Sequence, residues 1–139
     1  MIIASFPFQT FNWSSIPKTI HQGETGTAFW QTQMLNNIRI RLVEYSPGYK
    51  ADHWCKKGHV LYCFEGEMET ELEDGRIMPL KQGMCYLVGD NNEAHRSSTK
   101  TGCKLFIEAV VEDLSVKQTL FKTVEEVADN DCILATNTS

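Results

Sequence analysis

The sequence predicts one small all-β domain, a barrel or sandwich of short antiparallel strands, and three observations lead there. Strand-like runs in which apolar and polar residues alternate recur from Ile38 to Glu112. Glycines at 48, 66, 75, 83, 89 and 102 interrupt those runs at intervals suited to short strands. No helical period competes with them before residue 112.

Residues 1–37 read as an N-terminal arm. Phe6, Phe8, Phe11, Trp13 and Trp30 stand there among Ser, Thr, Gly and Gln, which predicts irregular chain with short strands. Its aromatics are expected to close a barrel end or a dimer seam. The barrel core is expected over residues 38–111. The run IRIRLVEY sets Ile38, Ile40 and Leu42 against Arg39, Arg41 and Val43, a strand with one polar face, and Ser46-Pro47-Gly48 turns the chain after it. HVLYCFEGE and METELEDGRIMPL follow, the second split by Asp74-Gly75, a two-residue type I′ hairpin signal. GMCYLVG and CKLFIEAVVE add two further strands. Residues 112–139 form a C-terminal extension. A short helix is expected in it from Asp113 or Ser115, with Val116, Leu120 and Val124 on one stripe, ahead of a frayed end.

Composition narrows the function classes. At 139 residues, 42% hydrophobic and 22% charged, the chain fits one soluble globular domain with one core. The large surface of a domain this size makes a homodimer the expected assembly. Thirteen basic against eighteen acidic residues give a net charge of -5, and no basic run exceeds Lys56-Lys57, so a nucleic-acid partner is not expected. No stretch has the length and apolar character of a membrane span and the N-terminus lacks a leader pattern, so a cytoplasmic protein without a membrane partner is expected. Five cysteines, an odd number, argue for buried thiols or metal ligands over a disulfide framework.

Three of the four histidines, His53, His59 and His95, fall in the barrel segments. On an extended strand, the period of two would put His53 and Cys55 on one face of Asp52-His53-Trp54-Cys55. After Lys56-Lys57-Gly58, His59 would open a strand whose Leu61 and Cys63 share its face, the face a barrel interior collects. His95 follows 36 residues later, enough chain to return beside the first pair. Three imidazoles and a thiolate suit one divalent transition metal, with zinc or iron favoured by the sulfur and nickel, manganese, copper or cobalt as further candidates; magnesium and calcium want oxygen. Cys55 is either such a ligand or a small buried apolar side chain.

These residues resemble the two motifs of the cupin superfamily. Gly48, His53-x-Cys55, three residues, His59, six residues and Gly66 follow the first, with a first gap of four residues where the motif has five, Cys55 in place of its second His and His59 in place of its Glu. Gly83 and His95 follow the second, with one additional residue and with Gly89 and Asn91 at its Pro and Gly positions. The likeness covers roughly residues 38–110. It implies a cupin-type double-stranded β-helix, a jelly-roll-like barrel of six or more strands, with a metal at His53, Cys55, His59 and His95. The order Asp52, His53, Trp54, Cys55, followed by Lys57-Gly58-His59 and Glu93-Ala94-His95, is similar to the small cupin fold proteins named for a D-H-C-W motif.

The other candidates carry less chemistry. Cys63 and Cys85 are expected as core packing, and Cys103 and Cys132 carry no spacing signal. Tyr62, Phe64, Tyr86 and Phe106 are expected as barrel or interface core. Arg39, Arg41, Glu93 and Arg96 either orient an anionic small molecule or are surface charges, and Glu93 is the candidate catalytic general base. Three functions fit: a metal-dependent enzyme on a small molecule, an oxygenase with iron or an isomerase or lyase with zinc, nickel or manganese; a non-catalytic metal-holding or redox-sensing domain; or a structural barrel without metal.

Overall fold

The structure, a computed structural model, describes residues 6–110. The helix expected from Asp113 or Ser115, and Cys132, lie outside those residues. A 3-10 turn, Trp13–Ser15, is capped by Asn12, whose side chain accepts from the Ser14 amide. Eight strands follow: β1 (Thr19–Gln22), β2 (Thr27–Leu35), β3 (Ile38–Tyr45), β4 (His59–Leu72), β5 (Ile77–Lys81), β6 (Cys85–Val88), β7 (His95–Ser98) and β8 (Cys103–Val110). They form the order β1-β2-β3-β8-β4-β5, with β6 and β7 also paired to β4. All these pairs are antiparallel.

The long strand β4 makes the barrel. Its first half pairs with β6 and β8, its second with β5 and β7, and a register shift between Cys63 and Glu65 bends it from one sheet to the other. Gly66 sits at this corner with φ 78°, and a Cβ there would run into the Gly102 carbonyl and the Cys103 backbone. Only glycine meets both demands.

Strand alternation then sorts the side chains. On β4, His59, Leu61 and Cys63 are buried while Val60, Tyr62 and Phe64 face outward to varying degrees. Leu61, Cys63 and Leu105 join Val43, Met68, Leu80 and Cys103 in the main core, with Trp30, Tyr45, Tyr86 and Ile107 packed against it. On β3 the face that carries Val43 into this core also carries Arg39 and Arg41, so the polar face of that strand points inward at one end of the barrel.

Several expectations are corrected. The hairpin at Asp74-Gly75 is not a two-residue type I′ turn. Leu72 and Arg76 pair by backbone around Glu73, Asp74 and Gly75, and of the three only Gly75 takes positive φ, 95°. That is a three-residue loop, held by the Asp74 carboxylate on the Arg76 amide and guanidinium. The arm contains a nine-residue strand, β2, paired with β3 from Ala28 to Leu35. Of its aromatics Trp30 reaches the core, whereas Phe8 is 95% exposed and closes no barrel end. Cys85 is exposed, because β6 turns Tyr86 inward and Cys85 and Leu87 outward.

Candidate metal centre

The site is built where a loop crosses β7. Cys55 and His95 exchange backbone hydrogen bonds, the Cys55 amide donating to the His95 carbonyl at 2.7 Å and the His95 amide to the Cys55 carbonyl at 3.0 Å. This bridge sets the two side chains beside each other. The loop leading from Cys55 to β4 is anchored by the Asp90 side chain on the Gly58 amide and by the Asn91 amide on the Lys56 carbonyl. His59 opens β4 at its end and points inward. Cys55, His59 and His95 each bring one ligand atom to within 4.8 Å of the others.

The surroundings suit a metal. His95 Nδ1 lies 2.9 Å from the Glu93 carbonyl, the contact of an N–H donor, which leaves Nε2 as the lone-pair nitrogen. That Nε2 is buried and has no hydrogen-bond partner. A buried polar atom without a partner is costly, and a metal ion would satisfy it. Burial pushes the Cys55 thiol up, but the His95 ring, the Lys57 backbone and His53 together hold it below its ordinary value. For His95 burial acts downward, and Cys55 and the Glu93 backbone outweigh it, so its pKa is raised. His59 is lowered to about 4, first by burial and then by the charges of His95, Arg39 and Arg41. A neutral imidazole is the ligand form.

His53 lies apart from this cluster. Asp52 and His53 form a bend instead of an extended strand, so the face shared with Cys55 is lost. The His53 side chain is 73% exposed, with Nδ1 2.6 Å from the Asp52 carboxylate. Glu93 contributes its carbonyl to His95, while its half-exposed carboxylate pairs with Arg76 on the surface. Arg96 lies over the Trp54 ring at 4.5 Å and pairs with Glu71 at 2.9 Å. His21 stacks on Trp30 at 3.6 Å between centroids.

Two further residues stand at the site, Tyr86, expected from sequence as core packing, and Arg39, expected either to orient an anion or to be a surface charge. The Tyr86 hydroxyl is 2.7 Å from His59 Nε2, and its ring lies 5.9 Å from that of His95. Its signal was the inward parity of β6, which pairs Tyr86 with Leu61. Arg39, on the inner face of β3, is the other: its Nε is buried without a partner.

Comparison with known proteins gives two results. A family model for the NAD-binding domain of 3-hydroxyacyl-CoA dehydrogenase matches residues 24–139. The peroxisomal fatty acid beta-oxidation multifunctional protein AIM1 of Arabidopsis thaliana is 28% identical over 117 residues, 84% of this chain. The chain spans only 15% of that relative's length.

The fold is similar to other proteins. The polyketide cyclase RemF from Streptomyces resistomycificus superposes with a TM-score of 0.65 at 16% identity, over 76% of this chain and 81% of that one. A sugar phosphate isomerase from a cupin superfamily of Silicibacter pomeroyi gives 0.57 at 15%, over 72% and 74%. An RmlC-like cupin from Shewanella frigidimarina gives 0.54 at 21%, over 71% and 88%.

The two results part company over residues 24–110. Dinucleotide-binding domains are built from parallel strands joined by helices, with a Gly-x-Gly-x-x-Gly turn. The strand pairs described here are antiparallel, and no two of the nine glycines stand two apart in the sequence. The sequence thus matches the model of the 3-hydroxyacyl-CoA dehydrogenase NAD-binding domain, while its described residues are folded as a cupin-type β-barrel with a Cys55, His59 and His95 cluster that could hold a metal ion.

Proposed function

We propose that the protein is a metal-dependent enzyme acting on a small molecule, with one divalent transition metal, zinc or iron, held by Cys55, His59 and His95. The observation that carries this is the buried, unpartnered Nε2 of His95 facing a thiol and a second imidazole. Three protein ligands leave a position for water or substrate, the arrangement of catalytic sites, whereas four close a structural one. With His53 on the surface, the set is of the open kind. When bound, the metal would supply Lewis acidity or an activated water. Around it, the Glu93 carbonyl orients His95 and Tyr86 orients His59. The enzyme names of the cyclase and isomerase with this fold support the reading.

Metal analysis of protein expressed in zinc- and iron-supplemented medium tests it. One metal per chain is expected, lost in His95→Gln and weakened in Cys55→Ser. Metal-free wild type overturns the reading. Cobalt substitution then separates enzyme from sensor: visible bands that shift on adding azide mark an open position, and bands that do not shift favour a closed, metal-holding site whose thiol responds to oxidation. A dinucleotide role has the family match in its favour, and saturable NADH binding would support it.

A further inference from the structure

We infer that the barrel mouth beside the Cys55, His59 and His95 cluster is an anion site, in which Arg39 and Arg41 take the carboxylate or phosphate oxygens of a small-molecule ligand. The register of the large sheet places them there. Arg39 pairs with Ala109 of β8, and His59 lies one step beyond the Val60–Glu108 pair that joins β8 to β4. Arg39 and His59 are thus two strands apart on the same inner face, about 10 Å at the usual strand spacing. The residue between them is Ala109, buried and small, so a long side chain has room above it. The next inward row runs from Arg41 through Ile107 and Leu61 to Tyr86.

Arg41 is held in place, and among the described residues neither arginine has a carboxylate partner. Arg41 lies over the Trp30 ring at 3.9 Å, and its Nε donates to Thr32 Oγ1 at 2.9 Å. Arg39 Nε is buried without a hydrogen-bond partner. Among the described residues no ion pair involves either one, although other arginines, Arg76 and Arg96, are paired to carboxylates. Two like charges on one inner face with an unused donor are unfavourable until an anion joins them. The guanidinium fork matches two oxygens of a carboxylate or phosphate. A separate cleft of about 410 Å³, lined by Lys50, Lys81 and Lys100 with Glu67 and Glu69, contains its own counter-charges and supplies a control.

The inference rests on the metalloenzyme reading for the anion's role as substrate; the anion site itself stands on the arginines. EDTA-treated and metal-loaded proteins are titrated with succinate and with inorganic phosphate, by calorimetry and tryptophan fluorescence. Saturable binding is expected in at least one arm, weakened about tenfold or more by Arg39→Gln and by Arg41→Gln. Lys50→Gln leaves it unchanged. Arg39→Lys, which keeps the charge and loses the fork, falls between and serves if the glutamine variant does not fold. The arm that binds more tightly identifies carboxylate or phosphate. Absence of binding in both arms, or binding that the arginine variants leave unaltered, overturns the inference. Metal content of Arg39→Gln should match wild type. Anion binding by a wild type that takes up no metal would overturn the metalloenzyme reading and leave the anion site standing.

Discussion

His59 should make the metal-free protein acid-sensitive. Its pKa is lowered to about 4 by burial and by the nearby charges of His95, Arg39 and Arg41, against 6.5 in an exposed chain. Above pH 6.5 the imidazole is neutral in both folded and unfolded protein and contributes no pH dependence. As pH falls below 6.5 the unfolded state takes up the proton first, so folding loses free energy. The loss continues to about pH 4, where the folded state also protonates. At about 1.4 kcal/mol per unit, the full effect is about 3 kcal/mol, a large share of a small domain's stability. His95, whose pKa is raised, works in the opposite direction and is gained as pH falls. The assay is therefore a comparison: urea unfolding of EDTA-treated wild type and His59→Gln at steps from pH 7.5 to 4. The glutamine keeps a hydrogen-bonding partner for Tyr86 and removes the titration. The stability difference between the two proteins should shift by about 3 kcal/mol in favour of the variant across that window. A difference that stays constant would refute the burial argument. Metal-loaded wild type should lose its metal over the same window, since protonation competes with ligation.

Two further outcomes follow from the barrel. Gly66→Ala forces a left-handed backbone onto alanine and drives its methyl into the Gly102–Cys103 backbone, so a loss of about 2 kcal/mol or more is expected in the denaturant midpoint; a change within about 0.5 kcal/mol would show that the corner of β4 can relax. In a Cys132→Ser background, Ellman's reagent should modify exposed Cys85 at once and Cys55 more slowly. Zinc should protect Cys55, while Cys63 and Cys103, both buried, the latter with its thiol pushed up to about 12, react only on unfolding. Fast labelling of Cys103 in the native protein would contradict the packing described.

The strands with strong alternation were legible in the chain. IRIRLVEY and HVLYCFEG became β3 and the first half of β4, and the glycines between runs mark corners and turns. The polar β7, His-Arg-Ser-Ser, carries no apolar run and was not marked as a strand; it forms because β4 offers it a ladder and the Cys55 bridge extends it. The β2 strand was hidden by the consecutive polar residues Gln31, Thr32 and Gln33 at its centre, which break the apolar alternation. Around Cys55, the assumption of an extended strand failed at Asp52-His53, where a local side-chain contact goes with a bend. Parity along a strand says which residues share a face. It does not say which face is inside: Arg39 and Arg41 against Ile40 and Leu42 is a case where the polar set turned inward.

By itself the sequence determined an all-β domain and the residue types from which a nitrogen- and sulfur-rich site could be made. Those properties are local, since alternation and turn chemistry act over a few residues. The tertiary structure alone decided which of those residues meet. Cys55, His59 and His95 converge through a backbone bridge and the inward start of β4, and His53 does not join them. Long-range register set that outcome, because a ligand set is defined by atoms a few ångströms apart and many residues apart along the chain.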